Sequence, residues 1–219
     1  MARPQTTATV SRRTAVVFQC AALLLGYPDE ALLERLPLIE RAAAEAGVSS
    51  DVEATIAHLR SMPLMEAQGW HVQEFDLSRR HALHLTYWTD GDTRRRGEVL
   101  ASIKQTYRDS GLLVDLDGEL PDHLPMVLEF AATGDPVLGL GILNRYRASL
   151  ELLRLGLEKD SLPHAGLLVA ICRELGGESP ETKEQVRALL AGPPAETVGL
   201  GAEPVLLGYP TARSSSVRS

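Results

Sequence analysis

Histidines at helical spacing are the first candidates for chemistry in this 219-residue chain. His81 and His84 lie three residues apart, so on a helix their side chains would be neighbours. With His123 or His164 they could ligate zinc. However, no H-E-x-x-H motif and no supporting cysteine or carboxylate pattern accompanies them. A surface or partly buried histidine pair is the favoured interpretation, and a small metalloenzyme using His81, His84 and His123 is kept as an alternative.

The two cysteines are candidate nucleophiles, because a thiol beside a histidine base can form covalent intermediates. Cys20 and Cys172 each lie in an apolar stretch with helical spacing, where a buried thiol acts as a small hydrophobic side chain. Two cysteines without a C-x-x-C motif are typical of a reducing compartment, so we expect a cytoplasmic protein. We therefore expect no catalytic residue, no metal site and no cofactor in this chain.

Two short motifs imitate ligand-binding loops. The stretch from Gly139 to Asn144 contains part of a dinucleotide fingerprint, but it lacks the third glycine and the preceding strand. The stretch from Asp115 to Glu119 resembles a fragment of a calcium loop without the full twelve-residue ligand set. Neither motif predicts a binding site.

An arginine triplet stands at the start of a predicted helix and could contact phosphate. The net charge of −7 and the pI of about 5.4 weaken a nucleic-acid-binding class without excluding it. A helical transcriptional regulator is kept as an alternative, although we find no convincing helix-turn-helix. The helix dipole disfavours cations at a helix start, so these arginines need acidic partners. The triplet is Arg94, Arg95 and Arg96, and the acids close to it in sequence are Asp90, Asp92 and Glu98.

Negative charge is concentrated in residues 109–135, which contain seven acids and no lysine or arginine. The acids alternate with leucine, valine, methionine, phenylalanine and proline. An apolar surface with carboxylates at its rim suits the capture of an amphipathic segment that bears basic residues. An ordinary acidic loop is the alternative. Since no group of residues for bond-making chemistry remains, the pattern favours a binding protein. The seven acids are Asp109, Asp115, Asp117, Glu119, Asp122, Glu129 and Asp135.

Composition predicts an all-α fold. The chain has 36 Leu and 25 Ala but only 15 Val and 5 Ile, and straight-chain and small residues favour helices. No apolar run approaches the ~18 residues that span a bilayer. Residues 11–13 and the apolar stretch behind them resemble a twin-arginine export signal, but Gln19 interrupts the stretch, so we expect an amphipathic first helix. The predicted organisation is one compact bundle of about eight helices over residues 11–192, with flexible tails at 1–10 and 193–219.

Capping residues and hydrophobic spacing predict the individual helices. They cover residues 12–25; Asp29 to Gly47 with an interruption at Pro37; a capping box at Ser50 and Glu53 to residue 62; 64–88 with a break near Gly69 and a new start near Asp76; 93–109; 121–132; 136–157; 162–175; and a last helix starting at Ser179. Residues 112–120 are predicted to form a loop.

Two longer motifs carry a family resemblance. The first is FDLSRR from Phe75, continuing through His84 to the arginine triplet and Gly97; the second is ELPDHLP from Glu119, continuing to Phe130. They resemble the NarJ family of nitrate reductase molybdenum cofactor assembly chaperones, within the wider TorD-like class. The similarity runs from about Phe18 to Leu190 and is strongest from Phe75 to Phe130, the stretch that contains both motifs.

The resemblance implies an all-helical, cytoplasmic chaperone of the molybdenum-containing catalytic (alpha) subunit of respiratory nitrate reductase. Such proteins bind the N-terminal, signal-like segment of that subunit and keep the apo-subunit competent for insertion of the molybdenum cofactor and for membrane assembly. Proteins that deliver the cofactor are further expected partners. Nucleic acid binding and stable membrane insertion are not expected.

The resemblance also implies binding residues. The Pro-Asp-His motif of the wider family, which is implicated there in signal-peptide binding, falls on residues 121–123, and its aromatic positions fall near residues 87 and 88. We expect the Asp122 carboxylate to pair with an arginine or lysine of the peptide, so that Asp122→Asn and high salt weaken binding. His123 is expected to be a hydrogen-bonding or pH-sensitive contact near neutrality. The expected peptide-binding residues are Pro121, Asp122, His123, Leu124, Met126, Glu129, Tyr87 and Trp88, with Val127 and Phe130 adding apolar contact.

Overall fold

The computed structural model describes residues 10–90, 94–116 and 118–191, and these residues form helices joined by turns and loops. The all-α prediction is confirmed, with eleven helices in the described ranges where about eight were expected. Nearly all of both predicted tails lies outside these ranges, so the domain boundaries stay a prediction. The helices are α1 (Arg12–Leu25), α2 (Glu30–Glu45), α3 (Ser49–Arg60), α4 (Leu64–His71), α5 (Leu85–Asp90), α6 (Arg94–Asp109), α7 (Leu124–Glu129), α8 (Pro136–Arg145), α9 (Arg147–Lys159), α10 (Ala165–Glu174) and α11 (Lys183–Ala191).

The first helix is the centre of the fold. The hydroxyl oxygen of Ser11 accepts a hydrogen bond from the Thr14 amide and caps the helix, and Gly26 follows its last turn. α1 packs against α2, α3, α7 and α10. Its buried side chains include Phe18, Leu24 and Leu25. An interior helix of this kind is apolar over much of its circumference because it has neighbours on several sides.

The second and third helices differ from the sequence prediction in detail. Asp29 caps α2 as predicted, with its carboxylate accepting a hydrogen bond from the Leu32 amide. The helix continues through Pro37, because the proline lies on the exposed face, where the carbonyl it leaves unpaired can reach water. The capping box predicted at Ser50 and Glu53 is wrong: α3 begins at Ser49 after Val48, and no side chain caps it.

The predicted helical run over residues 64–88 is interrupted further along the chain than expected. α4 continues through Gly69 and ends in a wider π-helical turn over Val72–Asp76. The next residues leave the helix until Leu85. The ring of His81 fixes these residues in place, because it lies between the carboxylates of Glu74 and Asp160, each 3.1 Å from a ring nitrogen. His81 and His84 therefore do not share a helix face.

The seventh helix is shorter than the predicted 121–132. Its start is set by backbone hydrogen bonds to the residues before α5: the Leu124 amide donates to Leu83, and the Leu85 amide donates to Asp122. These bonds hold residues 121–123 outside the helix, with 121 and 122 in a turn and His123 extended, until α7 begins. A second π-helical turn, Phe130–Gly134, follows α7 directly. The two π-helical turns bury Phe75 and Phe130, respectively.

The helix predicted over residues 136–157 is divided into α8 and α9. The backbone leaves the helical conformation at Tyr146, which is buried, so that the two halves pack against different partners. The last helix begins later than Ser179. Its start is fixed by a capping pair, in which Thr182 accepts from the Gln185 amide and the Gln185 side chain accepts from the Thr182 amide.

Candidate functional site

A groove of about 590 Å³ opens beside the seventh helix. It lies between α1, the segment that follows α6, and α7 with its π-helical turn. The groove includes the acidic, apolar stretch that the sequence analysis singled out, and the loop predicted over residues 112–120 forms one side of it. The walls are Gln19, Ala22 and Leu23 from α1; Leu112, Leu113, Val114 and Asp115; and Pro125, Met126, Glu129, Phe130, Thr133 and Gly134.

The short seventh helix separates the core from the groove. Its buried residues Leu124, Val127 and Leu128 join the hydrophobic core, and α7 packs against α1. On its other side, Met126 is partly buried and Glu129 is exposed, and both line the groove. Residues three and four positions apart share a helix face, which explains why Met126, Glu129 and Phe130 lie together.

The groove has the composition of a site for an apolar segment with positive charge. Leu113 is fully exposed and Leu112 is 47% exposed, which is unusual for adjacent leucines. The carboxylates of Asp115 and Glu129 are at its edge, and no lysine or arginine is among the described residues that line it. The amide oxygen of Gln19 is buried without a hydrogen-bond partner. The groove therefore offers apolar contact, negative charge and one unpaired acceptor.

Asp122 lies beneath this surface rather than on it, with no exposed area. Its Oδ2 atom accepts hydrogen bonds from the Thr86 hydroxyl at 2.6 Å and from the Thr86 amide at 3.0 Å. Nδ1 of His84 is 3.3 Å from Oδ1. Burial alone raises the pKa of Asp122, but these hydrogen bonds outweigh it, so the pKa lies below its ordinary value. A direct ion pair between this carboxylate and a bound peptide does not fit its position.

The cationic partner of Asp122 within the protein is Arg96. Nη2 of Arg96 is 3.9 Å from Asp122 Oδ2, and Nε of Arg96 donates to the Thr86 hydroxyl at 3.0 Å. Asp122 is 26 positions from Arg96 and was not among the acids predicted as partners of the triplet. Of those acids, Asp92 and the side chain of Asp90 lie outside the described part of the chain. One member of the triplet thus ties α6 to the start of α5 and to the residues before α7, while Arg95 is exposed.

His123 and His84 form a pair beside Asp122. Their rings are 5.3 Å apart between centroids, and an isolated antiparallel bridge pairs their backbones. Burial, with a further contribution from His84, lowers the pKa of His123 to about 4. His123 is therefore neutral at pH 7, in contrast to the expected titration near neutrality. Its ring can still exchange a hydrogen bond, because a neutral imidazole has one donor and one acceptor.

The remaining predicted residues make contacts within the protein. Pro121 is buried, and its carbonyl accepts a hydrogen bond from the Tyr107 hydroxyl at 2.8 Å. Trp88 is partly buried, and its indole N–H donates to the Ala82 carbonyl at 3.0 Å. Tyr87 contacts Trp88 edge to face. Of the eight predicted residues, only Met126 and Glu129 line the groove.

Sequence reasoning missed the α1 wall of the groove and named no contact residue in the wall formed by residues 112–115. Gln19, Ala22 and Leu23 lie on α1, about 100 positions before α7, and no local pattern pairs them with it. The adjacent pair Leu112 and Leu113 was a usable signal, because two leucines within an acidic loop have no helical face on which to be buried.

The other candidates for chemistry have structural roles. Burial raises the pKa of Cys20 to about 11 and that of Cys172 to about 12, so both are protonated thiols at neutral pH. In the described part of the chain, no group of three or more His, Cys, Asp or Glu residues could hold a metal ion. The metalloenzyme alternative thus lacks its site there, since His81 is bound to Glu74 and Asp160. Separately, none of the described helices is both long and apolar enough to cross a bilayer.

Comparisons with known proteins support the family resemblance seen in the two sequence motifs. The model of the family described as nitrate reductase delta subunit matches residues 41–170. The chain is 41% identical over 162 residues to the nitrate reductase-like protein NarX of Mycobacterium tuberculosis, covering 72% of this chain but 24% of NarX. It therefore spans about a quarter of that relative's length.

Two further relatives are named as nitrate reductase molybdenum cofactor assembly chaperones. NarJ of Bacillus subtilis is 30% identical over 156 residues, which cover 70% of this chain and 84% of that protein. NarJ of Escherichia coli is 34% identical over 114 residues, which cover 50% of this chain and 48% of that protein.

A solved structure supports the fold. It is from Archaeoglobus fulgidus, assigned as a redox enzyme maturation protein, and it aligns with a TM-score of 0.57 and 20% identity over 79% of this chain and 99% of that one. At this identity the likeness concerns the fold alone. Taken with the family match and the NarJ relatives, it leads to one conclusion: the chain belongs to the nitrate reductase delta subunit family, within which its motifs place it among NarJ-type proteins.

Proposed function

We propose that this protein is an assembly chaperone that binds the N-terminal segment of the apo catalytic subunit of a respiratory nitrate reductase and keeps that subunit competent for insertion of the molybdenum cofactor. The names of the NarJ relatives support the chaperone role. The protein itself makes and breaks no bond in this proposal. It acts in the cytoplasm, with the cofactor delivery proteins as further partners, and the two protonated, unpaired cysteines suit a reducing compartment.

The groove along α7 is the observation that carries the proposal. Its volume of about 590 Å³ and its apolar walls suit a short amphipathic segment rather than a polar metabolite. A segment that becomes helical on binding would place its apolar face against Leu113, Met126 and Phe130. Methionine accommodates such a surface well because its side chain is flexible and polarizable.

Charge sets the kind of segment that the groove accepts. Glu129 and Asp115 favour a segment with arginine or lysine beside its apolar residues, as expected for the signal-like N-terminal segment of the client. The amide of Gln19 can supply one hydrogen bond to the segment by rotating, since its oxygen has no partner in the free protein. Specificity in this proposal comes from exposed carboxylates, whereas the buried Asp122 acts indirectly.

The Asp122 cluster, which consists of Asp122, Thr86, His84 and Arg96, has a positioning role in this proposal. It joins the start of α5, the side chain of Arg96 on α6 and the residues just before α7. Because α7 begins two residues after Asp122, the cluster fixes the direction in which Met126 and Glu129 project. A rigid wall of this kind lowers the entropic cost of capturing a disordered segment.

Calorimetric titration with a peptide of the client's N-terminal segment tests the proposal. We expect Met126→Glu to weaken binding at least tenfold, about 1.4 kcal/mol, because it places a charge against the apolar face of the peptide. Glu129→Gln should weaken binding a few-fold at low salt and less at high salt. Met65→Glu is the matched control, since Met65 is 82% exposed and lies on α4, outside the groove.

The unfolding midpoint of each variant separates loss of binding from loss of folding. If Met126→Glu and Glu129→Gln fold and bind the peptide as tightly as the unchanged protein, the groove is not the binding site. If the unchanged protein does not bind the peptide, the proposed client segment is wrong.

A further inference from the structure

One segment of this chain has a composition that is complementary to the groove. Residues 204–219 lie outside the described ranges, and their sequence is PVLLGYPTARSSSVRS. They contain an apolar group with Leu206, Leu207 and Tyr209, followed by Arg213 and Arg218, and they contain no aspartate or glutamate. An apolar stretch followed by positive charge is the composition that the groove, with Leu113, Met126 and Glu129, is built to accept.

The apolar part of this segment repeats a pentapeptide that also occurs at the end of α1. The pentapeptide LLGYP occurs at residues 24–28 and again at residues 206–210. In the first copy, Leu24 and Leu25 are buried at the end of α1, and Gly26 follows the last turn of that helix. α1 packs against α7, the helix that forms the opposite wall of the groove. The two leucines of this pentapeptide are therefore buried in its first copy, while Tyr27 is 54% exposed.

The connection is long enough for the segment to reach the groove. α11 ends at Ala191, and residues 192–203 can span up to about 40 Å when extended. A globular region of this size has a radius of gyration of about 16 Å. A tether of this length also gives the segment an effective local concentration in the millimolar range, so even a weak contact is substantially occupied.

We propose that residues 204–213 of the same chain occupy the groove when no client is bound. The regulatory part of this inference rests on the proposed function: the tail competes with the client segment and weakens its apparent binding in proportion to the fraction of groove that it covers. The docking itself does not depend on the client. It shields Leu112 and Leu113 from water and from other proteins until a better ligand arrives.

Methyl NMR with a spin label on the tail tests the docking. The full chain contains four methionines, so their labelled methyl groups give few signals, and Met126 lines the groove while Met65 is exposed on α4. The variant Ser214→Cys provides the labelling site. Cys20 and Cys172 are buried, and burial raises the pKa of both thiols, so they do not compete for the label.

We expect the label to broaden the Met126 signal strongly and the Met65 signal little. Leu206→Asp with Leu207→Asp, on the labelled chain, should remove the broadening of Met126. Val198→Asp with Leu200→Asp is the matched control, because it makes the same change of charge and hydrophobicity before residue 204 and should leave the broadening in place. If Met126 broadens no more than Met65, the inference is overturned.

A mixed sample separates the chain's own tail from that of a second copy. Spin-labelled protein without labelled methyl groups is added to methyl-labelled protein without a spin label. Broadening of Met126 in this mixture at the same concentration would assign the contact to a second copy and overturn the proposal.

Titration with the client peptide distinguishes failure of this inference from failure of the proposed function. With the tail docked, the double variant at residues 206 and 207 should bind the peptide at least about threefold more tightly than the unchanged chain. Equal binding by both proteins overturns the competition alone and leaves the client site intact. Tail docking without any peptide binding instead contradicts the proposed function.

Discussion

At the scale of single residues, the carboxylate of Asp122 is the most constrained group near the groove. It is fully buried and accepts two hydrogen bonds from Thr86, with His84 and Arg96 as charged or chargeable neighbours. Replacing the carboxylate by an amide removes the buried negative charge that faces Arg96 and weakens the hydrogen bonds from Thr86. We expect Asp122→Asn to lower the free energy of unfolding by about 2–3 kcal/mol in urea denaturation.

A comparison with an exposed carboxylate makes this prediction specific. Glu53→Gln, on the exposed face of α3, should change the free energy of unfolding by no more than about 0.5 kcal/mol. Under conditions in which the Asp122→Asn variant is folded, it should still bind the client peptide. Full stability combined with lost peptide binding would show that Asp122 contacts the peptide after all.

The motif around Asp122 could be found in the sequence, but its role could not. The Pro-Asp-His motif lies directly before α7, the helix that forms one wall of the groove, but none of its three residues lines the groove. An acidic residue in an acidic stretch is usually exposed, and only its pairing with Thr86 and Arg96, far along the chain, accounts for its burial. Glu129, which was predicted on the same grounds, is exposed and lines the groove.

At the scale of elements, two glycines of α8 illustrate how closely the helices approach one another near the groove. A Cβ atom added to Gly139 would lie 2.6 Å from Ala131 Cβ and 2.8 Å from the Ala131 nitrogen, in the π-helical turn after α7. Gly141 faces open space. Close packing against Ala131 therefore explains why the first position of the dinucleotide-like pattern, Gly139, is a glycine.

The two positions give opposite expectations for the same substitution. Gly139→Ala should destabilise the protein by about 1–3 kcal/mol, because helix backbones must separate. Gly141→Ala should stabilise it by about 0.5–1 kcal/mol through helix propensity. Urea denaturation of both variants measures the contrast, and equal effects at the two positions would contradict the observed contact between α8 and the π-helical turn.

Helix positions were predictable where caps and spacing agree. α1 covers the predicted residues 12–25, Asp29 caps α2 as predicted, and α6 begins one residue from its predicted start. The break at Tyr146 was not predictable, because its neighbours have helical spacing and only packing of the two halves against different helices requires the turn. The non-helical residues 77–84 have the same kind of cause, since His81 is held by Glu74 and Asp160.

At the scale of the whole molecule, buried neutral histidines make stability depend on pH. Burial lowers the pKa of His58 and His71, and it lowers the pKa of His164 to about 3, with smaller contributions from His58 and His71. His123 has a pKa of about 4. Between pH 6.5 and about 4 the unfolded chain binds protons at these positions that the folded chain does not, so stability falls as the pH falls.

The size of this effect can be measured by urea denaturation at several pH values. Each such histidine contributes up to about 1.4 kcal/mol per pH unit below 6.5. We expect a clear loss of stability between pH 7.5 and pH 5, where exposed carboxylates still contribute little. His164→Phe, which keeps a ring beside Trp70, should make the dependence shallower. A stability that does not change over this interval would contradict the burial of neutral histidines.

The fold class and the family could be predicted from the sequence, whereas the groove could be predicted only in part. Leucine and alanine content indicates helices, and the two long motifs indicate the family. The groove needs α1 beside α7, and these helices are about 100 residues apart in sequence. Their pairing follows from a shared core that includes Phe18, Leu124 and Leu128, which no local pattern specifies.

The central claim is that the groove beside α7 binds the N-terminal segment of the nitrate reductase catalytic subunit. Leu113→Asp tests it most directly in a calorimetric titration with that segment, because Leu113 is fully exposed and its replacement has no packing cost in the free protein. Leu38→Asp is the control, since Leu38 is 56% exposed on α2, outside the groove. We predict at least a tenfold loss of affinity for Leu113→Asp and an unchanged affinity for Leu38→Asp. Equal affinities for the two variants would contradict the account.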